Sequence, residues 1–263
     1  MMRLRGIYQE HQRAILGTIS VLALICTWEL LLTFVIPLNP FFFTKPSLIA
    51  VAFKEQVIQG ALWSDLAVSS RAFVWGFSFA VLLGIPIGAF MGWRRRAEYT
   101  LDPFLTALYA SPLVALAPLI IVVFGVGLLA KSVLVFLLSV FPFIFNTFAG
   151  VRSTDRLLIN VVRSFGGKEK DLYLKVIFPS TLPYIAAGAR IALGRGLVGI
   201  IVGEFYAASE GIGFAISRFG DTYKLPEMFA GIFVLMIAAV LLTEGMRKLE
   251  ALLAPWRRSQ ENV

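Results

Sequence analysis

Long apolar stretches alternate with short polar segments along most of this 263-residue chain. A hydrocarbon core about 30 Å thick requires roughly 20 apolar residues in a helix that crosses it. Six stretches meet that requirement, at residues 14–36, 63–93, 101–124, 132–151, 182–206 and 228–247. The pattern therefore predicts an all-α polytopic membrane protein with about six transmembrane helices.

The composition agrees with this prediction. Hydrophobic residues make up 58% of the chain and the mean hydropathy is +0.81, which is more apolar surface than a soluble domain of this length can bury. The first stretch holds Glu29 and lacks a small-residue cleavage site, so we expect a retained anchor rather than a cleaved signal peptide. With one cysteine, Cys26, and one histidine, His11, we expect no disulfide framework and no metal site.

The basic residues indicate an orientation. The net charge is +8, and Lys and Arg concentrate before the first span, after the second, after the fourth and after the last, which favours a cytoplasmic location for those segments and for both termini. We divide the chain into a cytoplasmic tail at 1–13, a transmembrane domain at 14–251 with a cytoplasmic segment at about 152–181, and a second tail at 252–263. The longest external link, 39–59, contains SLIAVAFKEQVIQG, which we interpret as a short interfacial helix.

Small residues recur every fourth position along the second span, and prolines lie at membrane depth in several spans. The small residues are Gly76, Ala80, Gly84, Gly88 and Gly92, and Gly199 and Gly203 repeat the spacing in the fifth span. Such a ridge lets another helix approach closely. The prolines are Pro86, Pro112, Pro118 and Pro142, and each removes a backbone hydrogen bond. Two readings remain open: ordinary tight packing, or kinked helices around a transport route.

Charged residues inside the predicted spans are candidates for lining such a route, because an ionisable group at membrane depth usually faces a partner or water. The candidate pathway residues are Arg71, Ser111, Arg190, Arg195 and Glu204. Arg190 and Glu204 share a helix face but lie too far apart to pair directly. Arg195 is expected to pair with Glu29 or with a second copy of the chain. The alternative is that these charges only hold the bundle together.

One charged segment interrupts the apolar pattern, with the sequence VVRSFGGKEKDLYLKVIFPSTLP at residues 161–183. Leu158, Val161, Val162 and Phe165 fall at i, i+3, i+4 and i+7, which predicts an apolar stripe on a short helix. Gly166-Gly167 ends that helix, and a second short helix follows with Leu172 and Val176 on one side. Pro179 and Pro183 are expected to mark the turn into the fifth span. The alternative is a solvated loop with interfacial helices.

This segment resembles the EAA loop of ABC importer permeases, in which E-A-A is followed by three residues, Gly, nine residues and I-x-L-P. Here Asn160-Val161-Val162 takes the first place, Gly166 follows after three residues, and Val176-Ile177-Phe178-Pro179 follows after nine more. Three further stretches are similar to the nitrate/sulfonate/taurine subfamily of these permeases. They are LDPFLTALYASPLVALAPLIIVVFGVG from Leu101, PSTLPYIAAGARIALGRGLVGIIVGEF from Pro179 and EGIGFAI from Glu210.

The resemblance implies a type I importer permease of the bacterial inner membrane, with the MetI-like fold. It implies a second permease copy forming a homodimer, two cytoplasmic ATPase subunits that carry ATP and Mg, and a periplasmic or lipid-anchored solute-binding protein. The residues that it assigns to ATPase coupling are Asn160, Val161, Val162, Ser164, Phe165, Gly166, Gly167, Lys168, Asp171, Val176, Phe178 and Pro179. The solute would be a small anion: a sulfonate or taurine, nitrate, bicarbonate or an aromatic carboxylate. Related permeases carry thiamine-precursor-like solutes.

The chain agrees with a separate ATPase because it contains no G-x-x-x-x-G-K-[ST] loop. A self-sufficient secondary transporter or channel is the main alternative. It would predict inverted repeats or acids in broken helices, whereas we find no repeat and few acids within the spans. A membrane-embedded enzyme would need a nucleophile–base pair or metal ligands at membrane depth, and the spans contain no such set, so we predict no catalytic residues.

Overall fold

A computed structural model describes residues 2–35, 43–207 and 209–253, with side chains at 15–34, 43–206 and 209–250. Within these residues the chain is helical and contains no strand. The helices are α1 (Met2–Leu30), α2 (Pro46–Ile58), α3 (Ala61–Trp93), α4 (Arg95–Ala110), α5 (Ala117–Phe124), α6 (Leu128–Arg152), α7 (Arg156–Ser164), α8 (Glu169–Leu172), α9 (Phe178–Ala207), α10 (Ile212–Asp221) and α11 (Leu225–Leu253). The side chains of the predicted N-terminal tail, and nearly all of the predicted C-terminal tail, lie outside the described residues.

Five helical segments within the described residues are long and apolar enough to cross a membrane: Ile15–Phe34, Ala61–Trp93, Leu128–Arg152, Glu169–Tyr206 and Leu225–Glu250. A bent pair of helices, Arg95–Ala110 with Leu113–Phe124, would supply a sixth. Each of the six predicted stretches therefore coincides with one of these elements. The prediction of an all-α polytopic fold is confirmed, and the predicted interfacial helix at 47–60 corresponds to α2.

The third predicted span, at 101–124, is a bent pair of helices, and Pro112, one of the prolines noted at membrane depth, lies at the bend. The span bends by 82° between α4 and α5. The bend follows from Pro112, which has no N–H to donate and forces the preceding Ser111 into an extended conformation with φ −71° and ψ 150°. The Ser111 hydroxyl donates to the carbonyl of Leu108 at 2.6 Å, which satisfies one of the carbonyls at the end of α4.

The chain divides into two compact units, one comprising residues 63–214 and 234–263 and the other comprising residues 1–62 and 215–233. In the first, larger unit the glycine ridge of α3 packs directly against α6. A Cβ at Gly84 would lie 2.7 Å from Cβ of Phe143, and one at Gly92 would lie 2.5 Å from Cβ of Val151. The prediction that this ridge permits close helix approach is therefore confirmed.

On its other side α6 packs against α9, where Gly199 and Gly203 lie beside α6 residues. The largest buried cluster combines residues of α3, α6 and α9, including Ala80, Phe143 and Ala192. Tyr109 of α4 packs on this cluster between Phe141 and Phe145 of α6. Helix α6 is thus the central element of the larger unit. Pro86 and Pro142 lie inside helices that continue through them.

The smaller unit is held by contacts near the two ends of α2. At the beginning of α2, Glu29 of α1 accepts hydrogen bonds from the backbone N–H of Ser47 at 3.0 Å and from its hydroxyl at 2.8 Å, where a carboxylate also faces the positive end of the helix dipole. Near the end of α2, the Gln56 amide donates to the carbonyl of Glu227 at 3.2 Å. Trp28 packs edge-on against Phe229, with ring centroids 5.9 Å apart.

In the structure the charged segment, hereafter residues 156–178, extends from the start of α7 to the start of α9. It leads into α9 without the turn that we predicted at Pro179 and Pro183. Helix α8 continues through a single π-helical turn at Tyr173–Ile177 into α9, and both prolines lie in the continuous helix. The N–H of Phe178 bonds to the carbonyl of Tyr173, five residues back. This wider turn precedes Pro179, which has no N–H for the ladder, so the helix adjusts its pitch rather than breaking.

Candidate functional site

The charged segment folds as two short helices around a glycine turn, as its pattern predicted. Helix α7 begins at Asp155, whose carboxylate caps it by accepting from the N–H of Leu157 at 2.8 Å. It ends at Phe165, and α8 begins after Lys168. The carboxylate of Asp171 accepts from the N–H of Lys168 at 3.2 Å and pairs with the Lys175 ammonium at 2.9 Å.

Gly166 supplies the turn between these helices. Its φ of +73° lies in the left-handed region, and its surroundings are open, so the backbone conformation rather than crowding requires glycine there. The N–H groups of Gly166 and Gly167 donate to the carbonyls of Arg163 and Val162, each at 3.0 Å. These bonds satisfy the last carbonyls of α7 and fix the direction in which the chain leaves it.

The apolar stripe predicted on α7 separates into a buried side and an exposed side. Ile159 and Val162 pack against a buried cluster formed by Ala89, Val151, Leu172 and Ile177. The exposed side presents Leu157, Leu158, Val161 and Phe165, and Phe165 is 88% exposed. An apolar patch of this kind on a charged surface is typical of a protein–protein contact.

The remaining residues predicted for coupling fall on the same segment. Asn160, Ser164 and Lys168 are exposed, Asp171 and Val176 are half-buried, and Phe178 and Pro179 lie where the segment enters α9. The Ser164 hydroxyl donates to the carbonyl of Asn160 at 2.9 Å. All twelve residues therefore lie on one continuous stretch of the chain that runs from α7 to the start of α9.

The predicted pathway residues are dispersed. Arg71, Arg190 and Arg195 are exposed and Ser111 lies at the break between α4 and α5. The guanidinium of Arg195 lies 4.7 Å from the ring centroid of Tyr109. Arg190 pairs with Glu250 of α11.

Glu204 differs from the other pathway candidates because it is almost completely buried, with 1% of its surface exposed. Its Oε1 accepts from the Ser69 hydroxyl at 2.7 Å and lies 3.7 Å from the Lys131 ammonium, and its Oε2 accepts from the N–H of Gly213 at 2.7 Å. Both carboxylate oxygens are therefore engaged inside the larger unit.

The residues that surround Glu204 were not predicted from the sequence. Lys131, directly before the fourth predicted span, was not among the candidates; the structure buries it at 2% exposure, where its ammonium also donates to the carbonyl of Glu210 at 2.7 Å. Asp65 accepts from the N–H of Gly211 at 3.0 Å, and Ser69 accepts from the N–H of Ile212 at 3.0 Å. We call Asp65, Ser69, Lys131 and Glu204 the carboxylate clasp.

The clasp holds the turn at residues 209–213 by its backbone. Three successive N–H groups, of Gly211, Ile212 and Gly213, donate to clasp side chains. A side chain at Gly211 would collide with the Glu204 carboxylate, so glycine permits the close approach. The sequence has a lysine directly before the fourth predicted span and a glutamate near the end of the fifth, but only the folded structure shows that the two form a pair.

A helical bundle with several candidate membrane spans and a charged, glycine-turned segment continuous with α9 defines a multi-span membrane protein. Comparison with known proteins identifies the family: residues 80–258 match the model described as binding-protein-dependent transport system inner membrane component. The chain belongs to this family. It is therefore a multi-pass inner-membrane protein and the permease subunit of an ABC importer.

Relatives and solved structures agree with this assignment. The chain is 32% identical over 246 residues to the taurine transport system permease protein TauC of Escherichia coli, covering 92% of this chain and 88% of the relative. It is 35% identical over 185 residues to the formylaminopyrimidine transport permease protein ThiX of Halalkalibacterium halodurans, covering 70% and 74%. A structure of the MetNI methionine ABC transporter, in an inward-facing conformation, superposes with a TM-score of 0.64 at 18% identity, over 75% of this chain and 98% of that one. The likeness to that structure shows the shared fold.

Proposed function

We propose that two copies of this chain form the membrane pathway of an importer that is driven by two separate ATPase subunits and supplied by a solute-binding protein. In this arrangement both termini and the charged segment face the cytoplasm, as the distribution of Lys and Arg favours. ATP and Mg bind to the ATPase subunits, since this chain carries no phosphate-binding loop. The permease then acts as a gate that changes conformation and carries out no chemistry itself.

The exposed side of α7 is the surface proposed to contact the ATPase. The observation that carries the proposal is Phe165, which is 88% exposed at the tip of the segment, directly before the left-handed turn at Gly166. An aromatic side chain projecting from a rigid turn is a suitable anchor for a groove on a partner, because aromatic anchors in desolvated pockets dominate the energy of many interfaces. Leu157, Leu158 and Val161 extend the patch along the helix.

The connection from this surface to the membrane is direct. Helix α8, the π turn and α9 form one continuous helical path from Glu169 to Ala207. Trp93 at the end of α3 contacts Tyr173 with ring centroids 5.5 Å apart, and Arg94 pairs with Glu169 at 3.6 Å. We propose that movement of the ATPases displaces the segment and, through these contacts, tilts the membrane helices between inward-open and outward-open arrangements.

The solute is proposed to be a small anion, a sulfonate being favoured by the similarity to the taurine permease protein. Arg71 and Arg195 support this proposal because they are exposed and make no ion pair with a carboxylate among the described residues. Arg195 lies over Tyr109, and Ser111 follows two residues further on at the break in the third span. Arg190 is a further pathway candidate, and Glu204 is proposed to support the pathway wall from inside the bundle.

The test replaces Gly166 by arginine in the assembled complex in proteoliposomes. Gly166→Arg strains the turn and displaces Phe165, so we expect at least tenfold loss of hydrolysis stimulated by the loaded binding protein, with normal membrane insertion. The matched control is Gly125→Arg, since Gly125 is also exposed, with φ +77° and open surroundings, and so carries the same backbone strain. The Gly125→Arg complex should still contain the ATPase subunits after purification.

The same assay identifies the solute and separates the alternatives. The binding protein is loaded in turn with taurine, an alkanesulfonate, nitrate, bicarbonate, an aromatic carboxylate or formylaminopyrimidine, and only its own solute should stimulate hydrolysis. Stimulation by formylaminopyrimidine alone would contradict the small-anion proposal. Equal stimulation in Gly166→Arg and the wild type would contradict the coupling proposal. Ion-gradient-driven uptake by this chain without an ATPase would instead support a secondary transporter.

A further inference from the structure

The carboxylate clasp and the charged segment lie at opposite ends of the same three helices. Phe178 begins α9 beside the charged segment, and Glu204 lies 26 residues further along it. At 1.5 Å per residue this separation is about 39 Å, more than the roughly 30 Å of the hydrocarbon core. The clasp therefore lies near the membrane face opposite to the charged segment, whichever way the protein is oriented.

Each of the three helices is fixed at both ends. Helix α3 carries Asp65 and Ser69 near its start, and Trp93 at its end contacts Tyr173 of the charged segment. Helix α6 carries Lys131 near its start, and Val151 near its end is buried with Leu172 of the charged segment. Helix α9 continues from the charged segment and carries Glu204. The three helices therefore connect the segment to the clasp as one packed body.

The clasp makes more directed polar interactions than close packing of the helices would require. Lys131 and Glu204 are almost fully buried, and removing such a pair from water costs free energy that apolar residues of similar volume would not cost. The clasp uses its polar atoms to bind three successive backbone N–H groups, and these fix the turn in one geometry. The turn in this way presents Ser209 and Glu210, both exposed, at the end of the bundle.

We propose that Asp65, Ser69, Lys131 and Glu204 are positioning residues for transport. They hold the turn at 209–213 rigidly to α3, α6 and α9, so that displacement of the charged segment on one face of the membrane moves the turn on the other face. The clasp is thus the part of the permease through which ATP-driven movement reaches the side where the solute is delivered. This inference rests on the proposed function.

The experiment compares two neighbouring serines in the complete importer. Ser69→Ala removes both the donor to Glu204 and the acceptor for Ile212, whereas Ser70→Ala changes an exposed hydroxyl on the next residue. We expect Ser69→Ala to keep basal ATP hydrolysis within twofold of wild type while stimulation by the loaded binding protein and solute uptake fall at least tenfold. Ser70→Ala should match the wild type in all three measurements.

Two further variants separate positioning from stability. Asp65→Asn keeps an oxygen that accepts from Gly211 and should retain stimulation, whereas Asp65→Ala should lose it. The double variant Lys131→Met/Glu204→Leu replaces the buried charge pair by apolar side chains and removes the acceptor for Gly213, while Asp65 and Ser69 still accept from Gly211 and Ile212. We expect it to assemble and melt like the wild type, but to show no stimulation.

A spectroscopic measurement reports on the turn itself. In a Cys26→Ser background, spin labels at Trp63→Cys and Ser209→Cys, both exposed sites in the larger unit, should give a narrow distance distribution that Ser69→Ala broadens at least twofold. Unchanged stimulation and an unchanged distribution in Ser69→Ala would overturn the inference. Parallel loss of basal hydrolysis, stimulation and thermal stability would also overturn it, because that result indicates only a structural role. A wild-type complex without stimulated hydrolysis would overturn the proposed function and the inference together.

Discussion

At the scale of single residues, the close packing of the permease helices depends on positions where no side chain fits. Gly84 of α3 is one, because a Cβ there would meet Cβ of Phe143 at 2.7 Å and the carbonyl oxygen of Val140 at 2.9 Å. Both neighbours belong to α6, whose position is fixed from the other side by α9. The close approach of α3 and α6 therefore requires glycine at this position, and the sequence pattern predicted that approach because the small residues recur at a helical interval.

We expect Gly84→Ala to destabilise the protein by about 1–3 kcal/mol, the usual cost of overpacking a tight contact. The control is Gly194→Ala in α9, where no atom lies within 4 Å of the added Cβ. Alanine there should leave the melting temperature unchanged or raise it, since alanine favours a helix over glycine by up to about 1 kcal/mol. Thermal unfolding of the two purified variants in detergent measures the difference, and equal melting temperatures would show that the ridge is not tightly packed.

Residues outside such repeats were harder to predict. Lys131 follows a turn and precedes an apolar run, and nothing in its local sequence indicated burial, yet it is buried beside Glu204. The pair is 73 positions apart in the chain, and no local pattern records that the starts of α3 and α6 meet the end of α9. Tertiary proximity, rather than periodicity, determines which charges become partners, and one sequence contains little information about it.

At the scale of elements, helix continuity determines how the charged segment is attached to the membrane. The sequence predicted both short helices and the glycine turn between them, because apolar spacing and a glycine pair act locally. It predicted a turn at Pro179, and the structure instead contains a π turn at Tyr173–Ile177 within a continuous helix. In the third span the helix does break, at Pro112, which the sequence had marked as the loss of a backbone hydrogen bond. A proline interrupts hydrogen bonding in each case, and the surrounding packing decides whether the helix bends or adjusts.

The π turn should set the rotational position of the charged segment relative to α9. Pro179→Ala restores an N–H that can close an ordinary α turn, which removes the extra residue from that turn and rotates the segment by roughly 100°. We expect unchanged thermal stability but at least fivefold weaker stimulation of hydrolysis in the complete importer. Pro183→Ala, one helical turn further into α9, is the control and should retain stimulation. Full stimulation in Pro179→Ala would show that the rotational position is unimportant.

At the scale of the whole molecule, the apolar pattern was sufficient to predict an all-α polytopic protein and the positions of its candidate membrane spans. The hydrocarbon core imposes a minimum span length and allows only helices to satisfy their own backbone in it, so this part of the fold follows from sequence alone. The clasp, the bend in the third span and the exposure of Phe165 depend on how helices pack, and required the structure. We propose that α3, α6 and α9 connect the two membrane faces of the gate.

We propose that a separate ATPase moves this gate through the charged segment. Cysteine cross-linking tests that proposal most directly. In a Cys26→Ser background, Phe165→Cys should form an adduct with the cognate ATPase subunit in membranes, and its yield should change when ATP is added. Val126→Cys, at a 69% exposed position between α5 and α6, is the control and should form no such adduct. Absence of an ATPase adduct at position 165, or an equal yield at position 126, would contradict the account.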